Sequence, residues 1–139
     1  ALDEAERNGI LDRMKDMARQ SGASVMLITH DMGVIWEMCD RVVVMYLGRV
    51  VEIAPANALY SNPRHPYTEA LLSAVPIPDP QIKRQRVRLQ GDVPSPLNPP
   101  AGCHFHTRCP IAQKGLCDRE RPVLKDVGPG HRVACHLRS

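Results

Sequence analysis

Aromatic side chains are scarce in this sequence: one Trp, one Phe and three Tyr make up only 4% of 139 residues. A core must then be built from aliphatic and Met side chains, and the 43% hydrophobic content can supply it. No apolar run is long enough to cross a bilayer, and the first residues lack the charged-then-apolar pattern of a signal peptide. A soluble, intracellular chain is the expectation. The formal charge is only +3, with a single basic cluster at Lys83, Arg84, Arg86 and Arg88. Few aromatics lie near that cluster to stack on bases, so it reads as a solvated face or linker and calls for no nucleic acid. Internal repeats are absent. So is a glycine-rich GxxxxGK[ST] loop, whose amides and lysine cradle phosphate, and these 139 residues are not expected to hold a nucleotide's phosphates by themselves.

Proline, by contrast, is plentiful. Thirteen prolines stand against nine glycines, and their concentration between Pro76 and Pro110 marks a composition boundary. Ahead of it the chain is organised around residues 24–31, SVMLITHD. Val25, Met26, Leu27 and Ile28 form a short apolar run that predicts a strand buried on both faces. Asp31 is a good N-cap for a following helix that carries Met32, Ile35, Trp36 and Cys39 at helical spacing, with Cys39 a small core residue. Such a strand would deliver His30 to its carboxyl end, where open α/β sheets bind ligands.

The surrounding pattern fits that reading. Asp3 and Glu4 suit the first turn of a helix over residues 3–20, with Ile10, Met14, Met17 and Ala18 on one side and Gly22 as a left-handed cap. Residues 41–46 hold a second two-sided apolar run, Val42 to Met45, which Leu47-Gly48 turns back into a hairpin strand over residues 49–53. Short helices are expected over residues 56–60 and 67–74, the second with Pro66 at its first turn. Helix, strand, helix, strand is an α/β order, but with three strands the sheet looks incomplete. Pro76, Pro78 and Pro80 predict an extended linker, and residues 91–100 no regular structure.

Beyond residue 100 the composition changes again. Cys103, Cys109, Cys117 and Cys135 follow a C-x5-C-x7-C-x17-C spacing, with His104, His106, His131 and His136 interleaved. The spacing matches neither paired C-x2-C zinc knuckles nor ferredoxin runs. A proline-rich segment of this length is nonetheless expected to need a staple. Metal ligation, disulfides and plain buried thiols all remain open on the residues alone.

Several segments together resemble one family. Ala1-Leu2-Asp3 resembles the end of a D-loop, Thr29-His30-Asp31 a switch-histidine loop, and Asp40-Arg41-Val42 with Val44 to Glu52 the strand pair that follows. Asn62-Pro63-Arg64-His65-Pro66-Tyr67-Thr68, Gly91-Asp92-Val93-Pro94-Ser95-Pro96, Gly102-Cys103 and Arg108-Cys109-Pro110 resemble a tail peculiar to peptide carriers. The chain as a whole is similar to the C-terminal part of the ATP-binding subunit of a peptide (dipeptide/oligopeptide) ABC transporter. Neither a signature loop nor Walker B carboxylates occur in it, so a fragment of a longer ATPase is the expectation.

The resemblance implies ATP hydrolysis, with Mg2+, coupled to peptide uptake at the cytoplasmic face of the inner membrane. It implies that His30 contacts the γ-phosphate and that Asp3 lies between two ATPase subunits. Residues 1–60 would be the end of an ABC-type P-loop nucleotide-binding domain, and residues 61–139 a proline-rich, Cys-rich irregular extension. The implied partners are a second ABC ATPase subunit and transmembrane permease subunits, and the isolated chain is expected to self-associate. For Cys103, Cys109, Cys117 and Cys135 the resemblance implies a [4Fe–4S] cluster, with Zn2+ as the alternative. A free-standing, non-catalytic metal-binding interaction module is the rival to the transporter reading as a whole.

Overall fold

The computed structural model describes residues 3–75 and 86–139, and the chain divides into two compact units, one up to Cys39 and one from Asp40 to Ser139. The proposed linker prolines, Lys83 and Arg84 lie outside the described residues.

In the first unit, α1 spans Glu4–Ser21. Asp3 is its N-cap rather than a first-turn residue: its carboxylate accepts from Glu6 N at 2.8 Å, and Glu6 Oε2 accepts from Asp3 N at 3.4 Å, a reciprocal capping box. Gly22 closes the helix at φ 68°, as its lack of a Cβ permits. Of the α1 apolar residues only Leu11 is buried, while Met17 is 69% exposed. The second helix, α2, spans Met32–Met38 and is capped by Asp31, whose Oδ1 accepts from Gly33 N at 3.0 Å and Val34 N at 3.2 Å. Val34 and Ile35 are its buried residues, Trp36 is exposed, and Cys39 is half-buried at the C-cap.

Between the helices the expected two-sided strand does not form. Residues 23–29 have no regular structure, and Met26 and Ile28 are 89% and 91% exposed. A strand exists only where a neighbour takes its N–H and C=O groups, and no described strand pairs with this run.

The second unit is built on a four-stranded open antiparallel sheet in the order β1-β2-β4-β3. Here β1 is Arg41–Tyr46, β2 Arg49–Pro55, β3 Lys125–Gly128 and β4 His131–Val133. The run in β1 alternates rather than burying both faces: Val42, Val44 and Tyr46 point inward, whereas Val43 and Met45 are about half exposed. A one-sided antiparallel sheet imposes this period of two. Leu47 and Gly48 make a two-residue turn with φ of 46° and 75°, so the hairpin twist demands a left-handed backbone at a leucine. Opposite Val44 and Met45, β2 carries an extra residue, Val51, and this bulge leaves Val51 and Glu52 buried in succession.

The short helices α3, Ala56–Ser61, and α4, Pro66–Ser73, follow. In α4 Pro66 occupies the first turn, and His65 Nδ1 caps the helix by accepting from Tyr67 N at 3.0 Å. Residues 92–124 contain no helix or strand, yet this tail is not starved of core as its composition suggests. Phe105, 1% exposed, meets Tyr46, Tyr67 and His65 at ring-centroid distances of 5.1, 5.4 and 5.7 Å. Tail strand β4 then pairs with β2 through Glu52↔Val133 and Ile53↔Arg132. Gly102, at φ 72°, is required where the tail folds on itself, because a Cβ there would lie 2.5 Å from Cys117 O.

A left-handed leucine costs about 1–2 kcal/mol. Replacing Leu47 with Asn, which favours this turn, is therefore expected to stabilise the chain by about 1 kcal/mol, read as a raised urea midpoint with unchanged slope.

Candidate functional site

The two residues singled out by the D-loop and switch-loop resemblance both sit at helix starts in the first unit. Arg7, one turn into α1, donates its backbone N–H to Asp3 O at 3.0 Å and its Nη1 to Asp31 Oδ2 at 2.7 Å. The segment carrying Asp3 and the loop carrying His30 and Asp31 are thus joined by one ion pair. Thr29 Oγ1 accepts from Asp31 N at 3.1 Å, which shapes the bend from the other side. His30 itself is exposed at this bend. The backbone around it is tied, while its imidazole is left to solvent.

The second unit contains a constellation that sequence reasoning did not single out as a site. Glu52 is fully buried, a carboxylate in the middle of an apolar strand. It accepts from Arg64 N at 3.0 Å, His65 N at 2.8 Å and His131 Nε2 at 2.5 Å. A buried carboxylate without such partners would cost several kcal/mol, so the loop before α4 and strand β4 are both fixed to β2 through one side chain. The signal was the lone acid among apolar neighbours in RVVEIAP.

The four tail cysteines are brought together. Cys103, Cys109, Cys117 and Cys135 all line one cavity of about 20 Å³, with His65, Phe105, His106 and His136 among the other lining residues. All four are free thiols. Burial pushes the Cys103 and Cys109 thiols up, and the neighbouring thiols of the set push the same way. Backbone N–H groups oppose this: those of Phe105 and His106 face Cys103, and that of Ile111 faces Cys109. Gln113 N donates to Cys117 Sγ at 3.4 Å. Amide N–H groups aimed at sulfur favour thiolate, yet the net shift at Cys103 and Cys109 is upward, towards the protonated thiol. Among the described residues, no group of three or more His, Cys, Asp or Glu side chains is arranged to hold a metal ion. A single Zn2+ would require its sulfurs about 3.8 Å apart, given Zn–S bonds of about 2.3 Å.

The tail is also tied to the hairpin turn. Arg49 Nη1 donates to Gly102 O at 2.9 Å, and His104 Nδ1 bonds Leu47 O at 3.1 Å. His136 Nε2 bonds Glu120 O at 2.8 Å. Of the basic run only Arg86 and Arg88 are described, and both are exposed.

With this geometry in hand, comparison with known proteins places the chain among relatives of ABC transporter ATP-binding proteins. Residues 51–117 match the family described as "Oligopeptide/dipeptide transporter, C-terminal region". More narrowly, the chain is homologous to peptide-import ATP-binding subunits. It is 47% identical over 135 residues, 97% of its length, to a protein named for peptide import and ATP binding in Brucella ovis. Over 139 residues and its whole length it is 48% identical to a peptide ABC transporter ATP-binding protein of Sinorhizobium fredii. Over an alignment of 141 residues that also takes in the whole chain, it is 45% identical to the oligopeptide transport ATP-binding protein AppF of Bacillus subtilis. The alignments take in 42%, 39% and 43% of those relatives, so the chain spans about two-fifths of their length.

Burial holds His65 down at about 4, against 6.5 in an open chain, with the Glu52 carboxylate opposing the shift. The unfolded chain takes up this proton near pH 6.5, whereas the folded one refuses it until about pH 4, so the contribution of His65 is complete above pH 6.5 and lost as pH falls to 4. Its full size is about 3 kcal/mol. Urea midpoints of the second unit should fall between pH 7 and pH 4.5, and less steeply in His65→Asn.

Proposed function

We propose that this chain is the C-terminal part of the ATP-hydrolysing subunit of a peptide-importing ABC transporter. The observation that carries this reading is 45–48% identity to peptide-import ATP-binding proteins across 97–100% of the chain. Residues 1–60 would complete the nucleotide-binding domain, and residues 61–139 would form the Cys-rich, proline-rich extension. The nucleotide and Mg2+ would be held chiefly by a phosphate loop outside these 139 residues.

In the assembled subunit His30 would meet the γ-phosphate, for which its solvent-facing imidazole on a tied loop is suited. Asp3, fixed as the α1 cap, would face a second ATPase subunit. Transmembrane permease subunits would complete the assembly, with the ATPase peripheral on the cytoplasmic face of the inner membrane. No helix among the described residues is long and apolar enough to cross a membrane. The isolated chain would self-associate through the exposed Val25, Met26 and Ile28 or through Val43 and Met45.

Within the extension we infer a thiolate-held group on Cys103, Cys109, Cys117 and Cys135. Its support is that four free thiols line one cavity and that amide N–H groups are aimed at three of them. The family resemblance favours a [4Fe–4S] cluster there over Zn2+. Bound there, it would serve as a structural clamp on a segment without helix or strand. Because Cys103, Cys109 and Cys117 lie within the residues that match the family, a free-standing module is disfavoured as the alternative.

In a full-length subunit, His30→Ala should lower ATP turnover by about 10²–10³-fold, the cost of losing one transition-state hydrogen-bond partner, with nucleotide affinity changed less than about twofold. Turnover assays and equilibrium nucleotide binding check this, and parallel loss of both would overturn the role. The chain purified anaerobically should carry iron with acid-labile sulfide, and Cys117→Ser should lose it. Elemental analysis showing neither iron nor zinc would overturn the thiolate-held group.

A further inference from the structure

Asp31 uses both of its carboxylate oxygens, and each serves a different helix. Oδ1 caps α2 by accepting from Gly33 N at 3.0 Å and Val34 N at 3.2 Å, whereas Oδ2 accepts from Arg7 Nη1 of α1 at 2.7 Å. The capping bonds fix the start of α2 without Arg7, so the ion pair is not what forms that helix. It also adds little to stability, because the two side chains are 45% and 39% exposed and water screens them. What the pair supplies is placement. His30 stands between Thr29 and Asp31, at a bend shaped by Thr29 Oγ1 accepting from Asp31 N at 3.1 Å, and residues 23–29 before it form neither helix nor strand. Arg7 ties this bend to α1, an 18-residue helix whose first turn is closed by the Asp3 capping box.

Resting on the role proposed above for His30, we propose that Arg7 is a positioning residue for ATP hydrolysis. Its guanidinium holds the Asp31 carboxylate, and with it the adjoining His30 backbone, at a fixed place relative to α1. The imidazole then meets the γ-phosphate from a bend that is already ordered, which spares the reaction that entropy. Arg7 also donates its backbone N–H to Asp3 O at 3.0 Å, within the same helical turn. The residue read as facing a second ATPase and the residue read as facing nucleotide are thus joined through one side chain.

In a full-length subunit, Arg7→Ala should lower kcat for ATP about 10–100-fold, the scale of a misplaced reacting group. KM and equilibrium nucleotide affinity should change less than about twofold, with the melting temperature nearly unmoved. Arg7→Lys, whose ammonium still offers Asp31 Oδ2 a charged donor, should recover most of the turnover. Asp31→Asn keeps an oxygen for the capping amides but loses the charge, and should slow turnover as far as Arg7→Ala does. The two changes together should slow it no further, because both remove the same contact. His30→Ala is measured beside them. If it is slowed while Arg7→Ala turns over normally, or if the double variant loses the product of the two single losses, the inference fails and the His30 reading stands. A parallel loss of affinity, turnover and melting temperature in Arg7→Ala would mark a merely structural contact and overturn the inference as well. Normal turnover in His30→Ala would overturn the His30 reading and this inference with it.

Discussion

Glu52 sits on β2 with no access to water, and the second unit is arranged so that its carboxylate is answered. The answers come from three groups at two places in the chain: the amides of Arg64 and His65 just before α4, and the imidazole of His131 seventy-nine residues away on β4. A buried ion without partners would be worse than an apolar residue of the same shape, whereas a fully bonded one fixes which segments must meet. The bulge at Val51 is what turns this acid inward, because it breaks the alternation that would otherwise place neighbouring residues on opposite faces. Hairpin, helix start and tail strand are registered to one another through a single side chain.

The aromatic cluster works alongside that registration. With so few rings available, the protein gathers Tyr46, Tyr67, Phe105 and His65 in one place, and the only Phe of the sequence comes from the tail. Phe105 stands between Cys103 and Cys109, so the ring that fills the core also anchors the loop presenting the thiols. Burying such a ring contributes about 3 kcal/mol, enough to hold residues that form no ladder of their own. The cysteine cavity and the core of the sheet therefore share a wall, in which His65 belongs to both.

Local signals in the sequence were reliable where the physics is local. Asp31 as a cap, Gly22 as a left-handed stop, Leu47-Gly48 as a turn and Pro66 at a helix start all depend on neighbours within a few residues, and all are found. Burial depends on partners far along the chain and was harder to read. Residues 25–28 have the composition of an interior strand but no described strand beside them, and Val43 and Met45 lie on the open side of a one-faced sheet. Strands β3 and β4 are too short and polar, KDVG and HRV, to announce themselves. The candidate residues His30, Asp3 and the cysteines were legible through family resemblance. Glu52, His65 and His131 were not singled out as a site, because nothing in a linear pattern shows that an acid at 52 will face an imidazole at 131.

The strand order β1-β2-β4-β3 has a consequence for synthesis on the ribosome. One side of β2 is taken by β1 almost as soon as the hairpin emerges, but the other waits for residues 131–133. At ordinary elongation rates the intervening stretch takes roughly 4–16 s to be made. For that interval β2 is an open edge with an unanswered acid at its centre. The charge that later fastens the sheet meanwhile keeps the nascent edge hydrated and guards it against pairing with a neighbouring polypeptide.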